Sequence, residues 1–163
     1  MGLGLVASAM LVLGCASGPR PLVAGTDACD YCRMGVADVR YGAEVVARTG
    51  RVYVFDAVEC AASWVLTSPL AQDAKGIWVA DFSTGNLVDA RSALFVKGGS
   101  LHSPMGRSLT AFAPAVAPAA LAKQYGGDVL HWDEVVAYMR AQGIPGGHPA
   151  SRAPSAATLG NGS

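Results

Sequence analysis

The residues best suited to chemistry in this sequence are soft sulfur donors on two short segments. Cys29, Cys32 and Met34 belong to Cys-Asp-Tyr-Cys-Arg-Met, and His102 and Met105 belong to His-Ser-Pro-Met-Gly. Thiolates and thioethers favour Cu(I), whereas a thioether is a poor ligand for zinc or magnesium. If the first segment is extended, Cys32 and Met34 point to the same side and both sulfurs can meet one ion. The two segments therefore predict a Cu(I) site.

Other chemistries use the same Cys-x-x-Cys spacing. A c-type haem needs His after the second cysteine, and Arg33 stands there instead. A thioredoxin-like redox pair places its second cysteine in a helix that follows a strand. A zinc site from Cys29, Cys32, Cys60 and His102 is a further possibility, since structural zinc takes four N or S ligands. A structural Cys29–Cys32 disulfide is the simplest alternative, and these last three interpretations stay open.

Two residues near the first segment favour structural roles. Cys60 lies on the apolar face of a predicted helix, which is typical of a buried, inert thiol. Asp56 directly precedes that helix, so we expect it to cap the first turn rather than act as a general acid. The sequence shows no Ser–His–Asp set, no paired carboxylates and no phosphate-binding glycine loop, so we expect a protein that is not an enzyme.

The N-terminus predicts export. Residues 3–13 are apolar but too short to span a bilayer, and their length suits the core of a signal peptide, although no basic residue precedes Cys15. The ending Leu-Val-Leu-Gly-Cys resembles the bacterial lipobox, which predicts a signal peptide over 1–14 and a lipid on Cys15. A buried strand is the alternative. Ala16 after that cysteine favours the outer membrane, and 15–26 reads as a flexible tether.

Charge and length limit the remaining possibilities. Twelve basic and twelve acidic residues give a formal net charge of zero. No basic stripe is present, so we expect no nucleic-acid partner. A chain of 163 residues suffices for one domain or for two small modules that share a core.

The pattern of apolar residues predicts two similar halves that carry the sulfur segments. Both halves read strand, strand, helix, strand, which indicates an α+β fold of two small related ββαβ modules over 27–90 and 91–142 with a C-terminal helix. Residues 143–163 are rich in Gly, Pro, Ser and Ala and predict a disordered tail. The expected strands are 36–47, 52–55, 77–82, 93–96, 109–112 and 129–131, and the expected helices are 57–66, 113–125 and 133–142.

These motifs resemble the NosL family, accessory lipoproteins of nitrous oxide reductase assembly in denitrifying bacteria. The resemblance covers 27–112 well and the C-terminal helices loosely. The motifs that carry it are the lipobox at Cys15, Cys-Asp-Tyr-Cys-Arg-Met-Gly at 29–35, Val-Phe-Asp at 54–56 with Cys60, Trp-Val-Ala-Asp at 78–81, Ala-Leu-Phe-Val at 93–96, and Ser-Pro-Met-Gly at 103–106 with Ala-Phe at 111–112.

The resemblance implies a periplasmic Cu(I) chaperone built from two related ββαβ modules. It implies that copper is delivered for the copper–sulfide centre of nitrous oxide reductase, beside a dedicated ABC-type transporter. The family's ligands carry over onto Cys32, Met34 and Met105, while Cys29 stays open as ligand or disulfide partner. Arg33 is unusual here, and its positive charge is expected to favour the neighbouring thiolate.

Overall fold

The computed structural model describes residues 18–143, so the predicted signal peptide, Cys15 and nearly all of the predicted tail lie outside the described part. Short 3-10 turns at Val39–Tyr41 and Pro69–Asp73 interrupt the regular elements. In chain order these elements are β1 (Ala43–Ala47), β2 (Val52–Phe55), α1 (Val58–Thr67), β3 (Ala74–Ala80), β4 (Leu87–Asp89), β5 (Leu94–Lys97), β6 (Leu109–Phe112), α2 (Pro118–Tyr125), β7 (Asp128–Leu130) and α3 (Trp132–Ala141).

Two antiparallel sheets form the framework. The first has the strand order β2-β1-β3-β4 and the second has the order β6-β5-β7. Val45 in the centre of β1 lies opposite Tyr53 on one side and Ile77 on the other. In the second sheet Phe95 lies opposite Ala111 and Leu130. Sheets with separate helices confirm the predicted α+β class.

Helix α1 joins the two halves. Its small and apolar residues are buried from Val58 to Trp64, and Trp64 packs against Tyr53 with ring centroids 4.7 Å apart. The helix contacts α3 and β6 as well as β1 and β2. A single apolar core therefore includes residues from both sheets, among them Phe55 and Phe95. This packing fixes what lies at the N-terminal end of α1 relative to both halves.

The structure corrects several predicted boundaries. The strand expected over 36–47 begins only at Ala43, because the 3-10 turn at Val39–Tyr41 precedes it. The helix expected from 113 starts at Pro118, where proline at the first position leaves no N–H unsatisfied. Strand β4 was not predicted, since Leu87–Asp89 is too short to show a pattern.

Part of the expected tether is docked on the first sheet. The backbone N–H of Arg20 donates to Glu44 Oε2 at 2.9 Å, and the Arg20 guanidinium pairs with Asp27 at 2.6 Å. Gly25 N–H donates to the carbonyl of Val36 at 3.0 Å. No helix within residues 18–143 is long and apolar enough to cross a membrane.

Candidate metal centre

The segment that carries Cys29, Cys32 and Met34 is a tight turn, not the extended run that was expected. Cys29 N–H donates to the carbonyl of Met34 at 2.8 Å, and Arg33 N–H donates to the carbonyl of Cys29 at 3.0 Å. Arg33 has a φ of 68°, in the left-handed region. The alternation that would align Cys32 with Met34 on one side therefore does not apply.

The turn is clamped to the end of the first sheet by Asp30. Its backbone N–H donates to the carbonyl of Val54 at 2.7 Å, and its Oδ2 accepts from Val54 N–H at 2.8 Å. Val54 belongs to β2, whose outer edge is otherwise without a strand partner in the four-stranded sheet. This pairing brings the two cysteines of the turn to the junction between β2 and α1.

Four potential ligands meet at that junction. One donor atom each from Cys29, Cys32, Asp56 and Cys60 all lie within 4.8 Å of one another, and we call this set the thiol cluster. Cys29 and Cys60 are fully buried and Asp56 is nearly so, whereas Cys32 is half-buried. The Cys32 thiol lies 3.5 Å from Asp56 Oδ1, and Cys32 N–H lies 3.5 Å from Cys29 Sγ. Cys32 is therefore the member of the cluster that solvent reaches.

Asp56 is not the helix cap that the sequence predicted. The N-cap residue of α1 is Ala57, which makes no side-chain capping bond. The carboxylate of Asp56 lies next to the Cys32 thiol instead. The backbone N–H of Asp56 donates to the Cys29 sulfur. Cys60 is buried as expected, but it lies in the cluster rather than in purely apolar surroundings. The Cys-x-x-Cys spacing predicts a site in this region, but no local feature of the sequence adds Asp56 and Cys60 to it.

The cluster concentrates negative charge on one sulfur. Hydrogen bonds from the Cys60 thiol and from the backbone N–H groups of Asp56 and Cys32 lower the pKa of Cys29 to about 7. Burial, together with the neighbouring Cys29 charge, raises the pKa of Cys32 to about 11. The pKa of Cys60 is also raised, because its thiol donates to Cys29. Cys29 is the thiolate that the surrounding hydrogen bonds stabilise.

Arg33, whose charge was expected to favour the neighbouring thiolate, forms an ion pair with Asp30. Its guanidinium is largely exposed and lies 3.9 Å from the Asp30 carboxylate. Cys32 beside it has a raised pKa because burial disfavours the charged form. The low thiol pKa belongs to Cys29, and hydrogen bonds are its main cause.

The second sulfur segment is held to α1 by a buried polar contact. The Ser103 hydroxyl donates to Glu59 Oε1 and accepts from Ser108 N–H at 2.9 Å. Leu109 N–H also points to Glu59 Oε1, at 3.4 Å. Glu59 directly precedes Cys60 in the first turn of α1, so the loop with Met105 is anchored beside the helix turn that carries one member of the thiol cluster.

The three remaining predicted ligands differ in exposure. Met34 is 48% exposed, while Met105 is half-buried and packs against the apolar core that contains Cys29 and Cys60. His102 is exposed, and its backbone N–H bonds to the hydroxyl of Tyr41. Within residues 18–143 the structure thus unites Cys29 and Cys32 with Cys60, and leaves His102 outside the thiol cluster.

The geometry also bears on the alternatives for the cysteine pair. Cys29, Cys32 and Cys60 are free thiols, with no disulfide among the described residues. Cys32 lies in a turn and not in the first turn of a helix, so the arrangement differs from a thioredoxin-like pair. Three thiols and one carboxylate around one point form a donor set suited to a soft or borderline metal ion.

Comparison with known proteins decides the family. The NosL family model matches residues 22–139. The chain belongs to the NosL family. The copper-binding lipoprotein NosL of Stutzerimonas stutzeri is 32% identical over 119 residues, which cover 68% of this chain and 62% of that relative's length. The crystal structure of the copper chaperone NosL from Shewanella denitrificans matches with a TM-score of 0.61 at 24% identity, over 72% of this chain and 95% of that one. The structural match supports the fold.

Proposed function

We propose that this protein is a Cu(I) chaperone without enzymatic activity. The observation that carries the proposal is the half-buried Cys32 at the mouth of the thiol cluster, in a turn that also presents the exposed Met34. Relatives in the family are named as copper-binding lipoprotein and copper chaperone, which supports the same conclusion. Thioether sulfur beside a thiolate favours Cu(I), for which both are suitable soft ligands.

The ligand set that we propose has Cys32 at its centre. Met34 and Met105 supply thioethers from the two loops, with Cys29 or His102 as a further donor. Cys32 is the thiol in the cluster that an incoming ion reaches without unfolding, since Cys29 and Cys60 are fully buried. Anchoring of the Met105 loop to Glu59 keeps that thioether on the same end of α1.

The exposure of the proposed copper site to solvent allows copper to be transferred to an acceptor. Cu(I) accepts two to four soft ligands, so a site with one edge exposed to solvent admits a ligand from an acceptor before its own ligands leave. Met34, which is 48% exposed, is the donor that an acceptor can replace with the least rearrangement. Copper then moves by ligand exchange through a shared intermediate, and no net redox change is needed.

The biological setting that we propose is the bacterial cell envelope. Cys15 would carry a lipid after removal of 1–14, anchoring the protein in the periplasm and, with Ala16 in the next position, at the outer membrane. The acceptor is the maturing copper–sulfide centre of nitrous oxide reductase, reached beside a dedicated ABC-type transporter during denitrification. These partners follow from the family resemblance. A palmitate label that depends on Cys15, and that Cys15→Ser removes, tests the anchor.

Competition for Cu(I) with a chromophoric chelator tests the copper proposal. Cys32→Ser removes the central ligand, so we expect a loss of affinity larger than the roughly 100-fold that removal of an outer-shell partner costs. Met105→Leu keeps the shape of the side chain and removes only the thioether, so a smaller loss is expected. Met139→Leu, a buried methionine of α3, is the matched control and should bind like wild type. If the Cu(I) affinity is unchanged in both Cys32→Ser and Met105→Leu, the proposal is wrong.

A further inference from the structure

We infer that the surface around the C-terminal end of α1 binds the headgroup region of an anionic lipid bilayer. Its apolar part is a groove beside the 3-10 turn Pro69–Asp73, and its charged part is three basic residues that flank this turn. We call the following residues the lipid-binding patch: Val65, Leu66, Leu70, Arg48, Arg51 and Lys75. The chemistry of the patch is independent of the copper proposal, whereas its role in orienting an anchored protein rests on the proposed lipid at Cys15.

The apolar part of the patch is open to solvent. A groove of about 520 Å³ lies along the last turn of α1 and the residues that follow it, and its lining includes Val65, Leu66 and Pro69. Val65 and Leu66 are half-buried against the core, so part of each side chain remains uncovered. Leu70 follows on the 3-10 turn and is 47% exposed. Contiguous exposed apolar surface of this kind marks an interaction site.

Two arginines lie beside this apolar surface. The backbone N–H of Arg48 donates to the carbonyl of Asp73 at 2.9 Å, which places Arg48 against the 3-10 turn. The Arg51 guanidinium lies 4.7 Å from the centroid of the Tyr53 ring. That ring packs in turn against Trp64, the residue of α1 that directly precedes the groove, with centroids 4.7 Å apart. Both arginines therefore belong to the same end of the molecule as the groove.

The balance of charge at this end is positive. Lys75 follows the 3-10 turn in β3 and is exposed, as are both arginines and Asp73. Segments 48–51 and 65–75 together carry three basic residues and one acidic residue, a formal charge of +2 in a chain whose total is zero. An anionic bilayer attracts basic side chains near its surface. Apolar and basic side chains on one surface are the combination that interfacial membrane binding uses.

The position of the patch favours lipid over a copper acceptor as its partner. The thiol cluster lies at the start of α1, with Cys60 in the first turn, whereas Val65 and Leu66 lie in the last turns. Ten residues at 1.5 Å rise separate the two ends of the helix by about 15 Å. An acceptor has to approach Cys32, so it docks at the other end. A bilayer that holds the patch leaves the copper-binding end facing the aqueous side.

The proposed anchor would make a weak patch effective. The backbone N–H of Arg20 is fixed to Glu44 at 2.9 Å, so the chain is docked on the first sheet from this point onward. Residues 15–20 span at most about 18 Å, which keeps an anchored domain close to the bilayer. Contact between patch and lipid then becomes an intramolecular event with a high effective concentration. The patch thus sets the orientation of the domain, and the anchor supplies the attachment.

Amide hydrogen exchange on vesicles tests the patch. The full chain carries Cys15→Ser, so that the outcome does not depend on lipidation. It is mixed with vesicles of phosphatidylcholine alone or of phosphatidylcholine and phosphatidylglycerol in equal amounts. Because the apolar residues 3–13 favour lipid themselves, the readout is where exchange slows and not binding alone. We expect slower exchange over 65–73 with the anionic vesicles and unchanged exchange over 29–34.

Two outcomes of this measurement overturn the inference. The first is exchange over 65–73 that is the same with anionic vesicles, with neutral vesicles and without vesicles. The second is slowing over 65–73 that needs no vesicles and increases with protein concentration, which shows that the patch joins two copies of the chain. Cu(I) competition on the same protein is a separate measurement, so a chain that binds anionic vesicles but not Cu(I) contradicts only the copper proposal.

Co-sedimentation of variants with the anionic vesicles locates the binding residues. Arg48→Gln and Arg51→Gln should each weaken binding about fivefold, which corresponds to about 1 kcal/mol per basic residue at an anionic surface. Leu70→Gln should weaken it by a similar factor, since the exposed part of the side chain no longer enters apolar surroundings. Lys123→Gln and Val23→Gln, an exposed cation and an exposed apolar residue outside the patch, are the matched controls and should bind like the parent chain. Equal losses in controls and patch variants, or no loss in the patch variants, overturn the inference.

Discussion

The two loops that carry sulfur are positioned in different ways. The Cys29–Met34 turn is closed by its own backbone hydrogen bonds and is clamped by Asp30 to the adjacent strand. The loop with Met105 is attached to a helix of the other half by a buried side-chain contact, between Ser103 and Glu59. The first loop is therefore preorganised locally, while the position of the second depends on tertiary packing.

The two kinds of attachment favour different properties of a metal site, affinity in one loop and ligand exchange in the other. Preorganised ligands lose little conformational entropy on binding, which favours affinity. A loop attached through a side-chain contact can shift when that contact weakens, which favours exchange. The thiols thus sit on the rigid part and Met105 sits on the part that is easier to displace. The following predictions test these two attachments and the backbone conformation of the two loops.

The largest expected effect comes from breaking the buried contact that attaches the second loop to α1. Ser103→Ala removes the hydroxyl between Glu59 and Ser108 N–H and leaves a buried carboxyl without that partner. We expect a loss of about 3 kcal/mol in the free energy of unfolding, measured by urea denaturation. Ser100→Ala, an exposed residue of the same loop, is the control and should change stability by no more than about 0.5 kcal/mol. Equal effects of the two changes would contradict the assigned anchor.

The next effect depends on pH through the same anchor. Burial raises the pKa of Glu59, and its Oε2 has no hydrogen-bond partner among residues 18–143. Because the folded pKa lies above the unfolded value, the stabilisation by protonated Glu59 is present at low pH and is lost as pH rises through the folded pKa. Glu59→Gln removes this ionisation but keeps an acceptor for Ser103. Thermal unfolding should show the variant gaining on wild type as pH rises from 4 to 8, and parallel curves would refute this.

Breaking the clamp of the first loop should cost less, because its backbone hydrogen bonds remain. Asp30→Ala leaves Val54 N–H without its side-chain acceptor, and we expect a loss of about 1–2 kcal/mol in the free energy of unfolding. Asp30→Asn retains an oxygen acceptor and should recover most of that loss. If both variants are equally unstable, the exposed ion pair with Arg33 matters rather than the clamp.

The smallest effect concerns backbone conformation, where the two loops are alike. Each has a non-glycine residue with positive φ, Arg33 at 68° and Ser108 at 54°. Glycine removes the steric cost of about 1 kcal/mol, whereas alanine retains it. Arg33→Gly should therefore be more stable than Arg33→Ala by about 1 kcal/mol, and Ser108→Gly should exceed Ser108→Ala similarly. Chemical denaturation of the four variants measures both differences, and a reversed order at either position would exclude strain there.

Regular elements with strong apolar patterns were predictable from the sequence. Strand β2 and helix α3 lie within a residue of their expected bounds, because alternating and helical spacing are local properties. The start of α2 was misplaced because proline suits the first helical position at both 114 and 118. In a helix that began at Pro114, Pro118 would have no N–H to donate to the carbonyl of Pro114 and its ring would clash with that carbonyl, so the helix begins at Pro118.

The thiol cluster was only partly predictable. The Cys-x-x-Cys spacing indicates a metal or redox site. Asp56 stands directly before a helix, which is the usual position of a capping residue, so the sequence does not indicate that its carboxylate belongs to the cluster. Cys60 gave no local signal, because a buried thiol on an apolar helix face is common. The left-handed Arg33 could not be foreseen either, since this conformation usually favours glycine.

The Glu59–Ser103 contact also bears on how the protein is made. It joins residues far apart in the chain, so closing it costs loop entropy and requires both halves to be folded. A chain that emerges N-terminus first presents its Cys-x-x-Cys segment well before the methionine loop exists as a structure. The position of the methionine loop is therefore fixed only when both halves have folded.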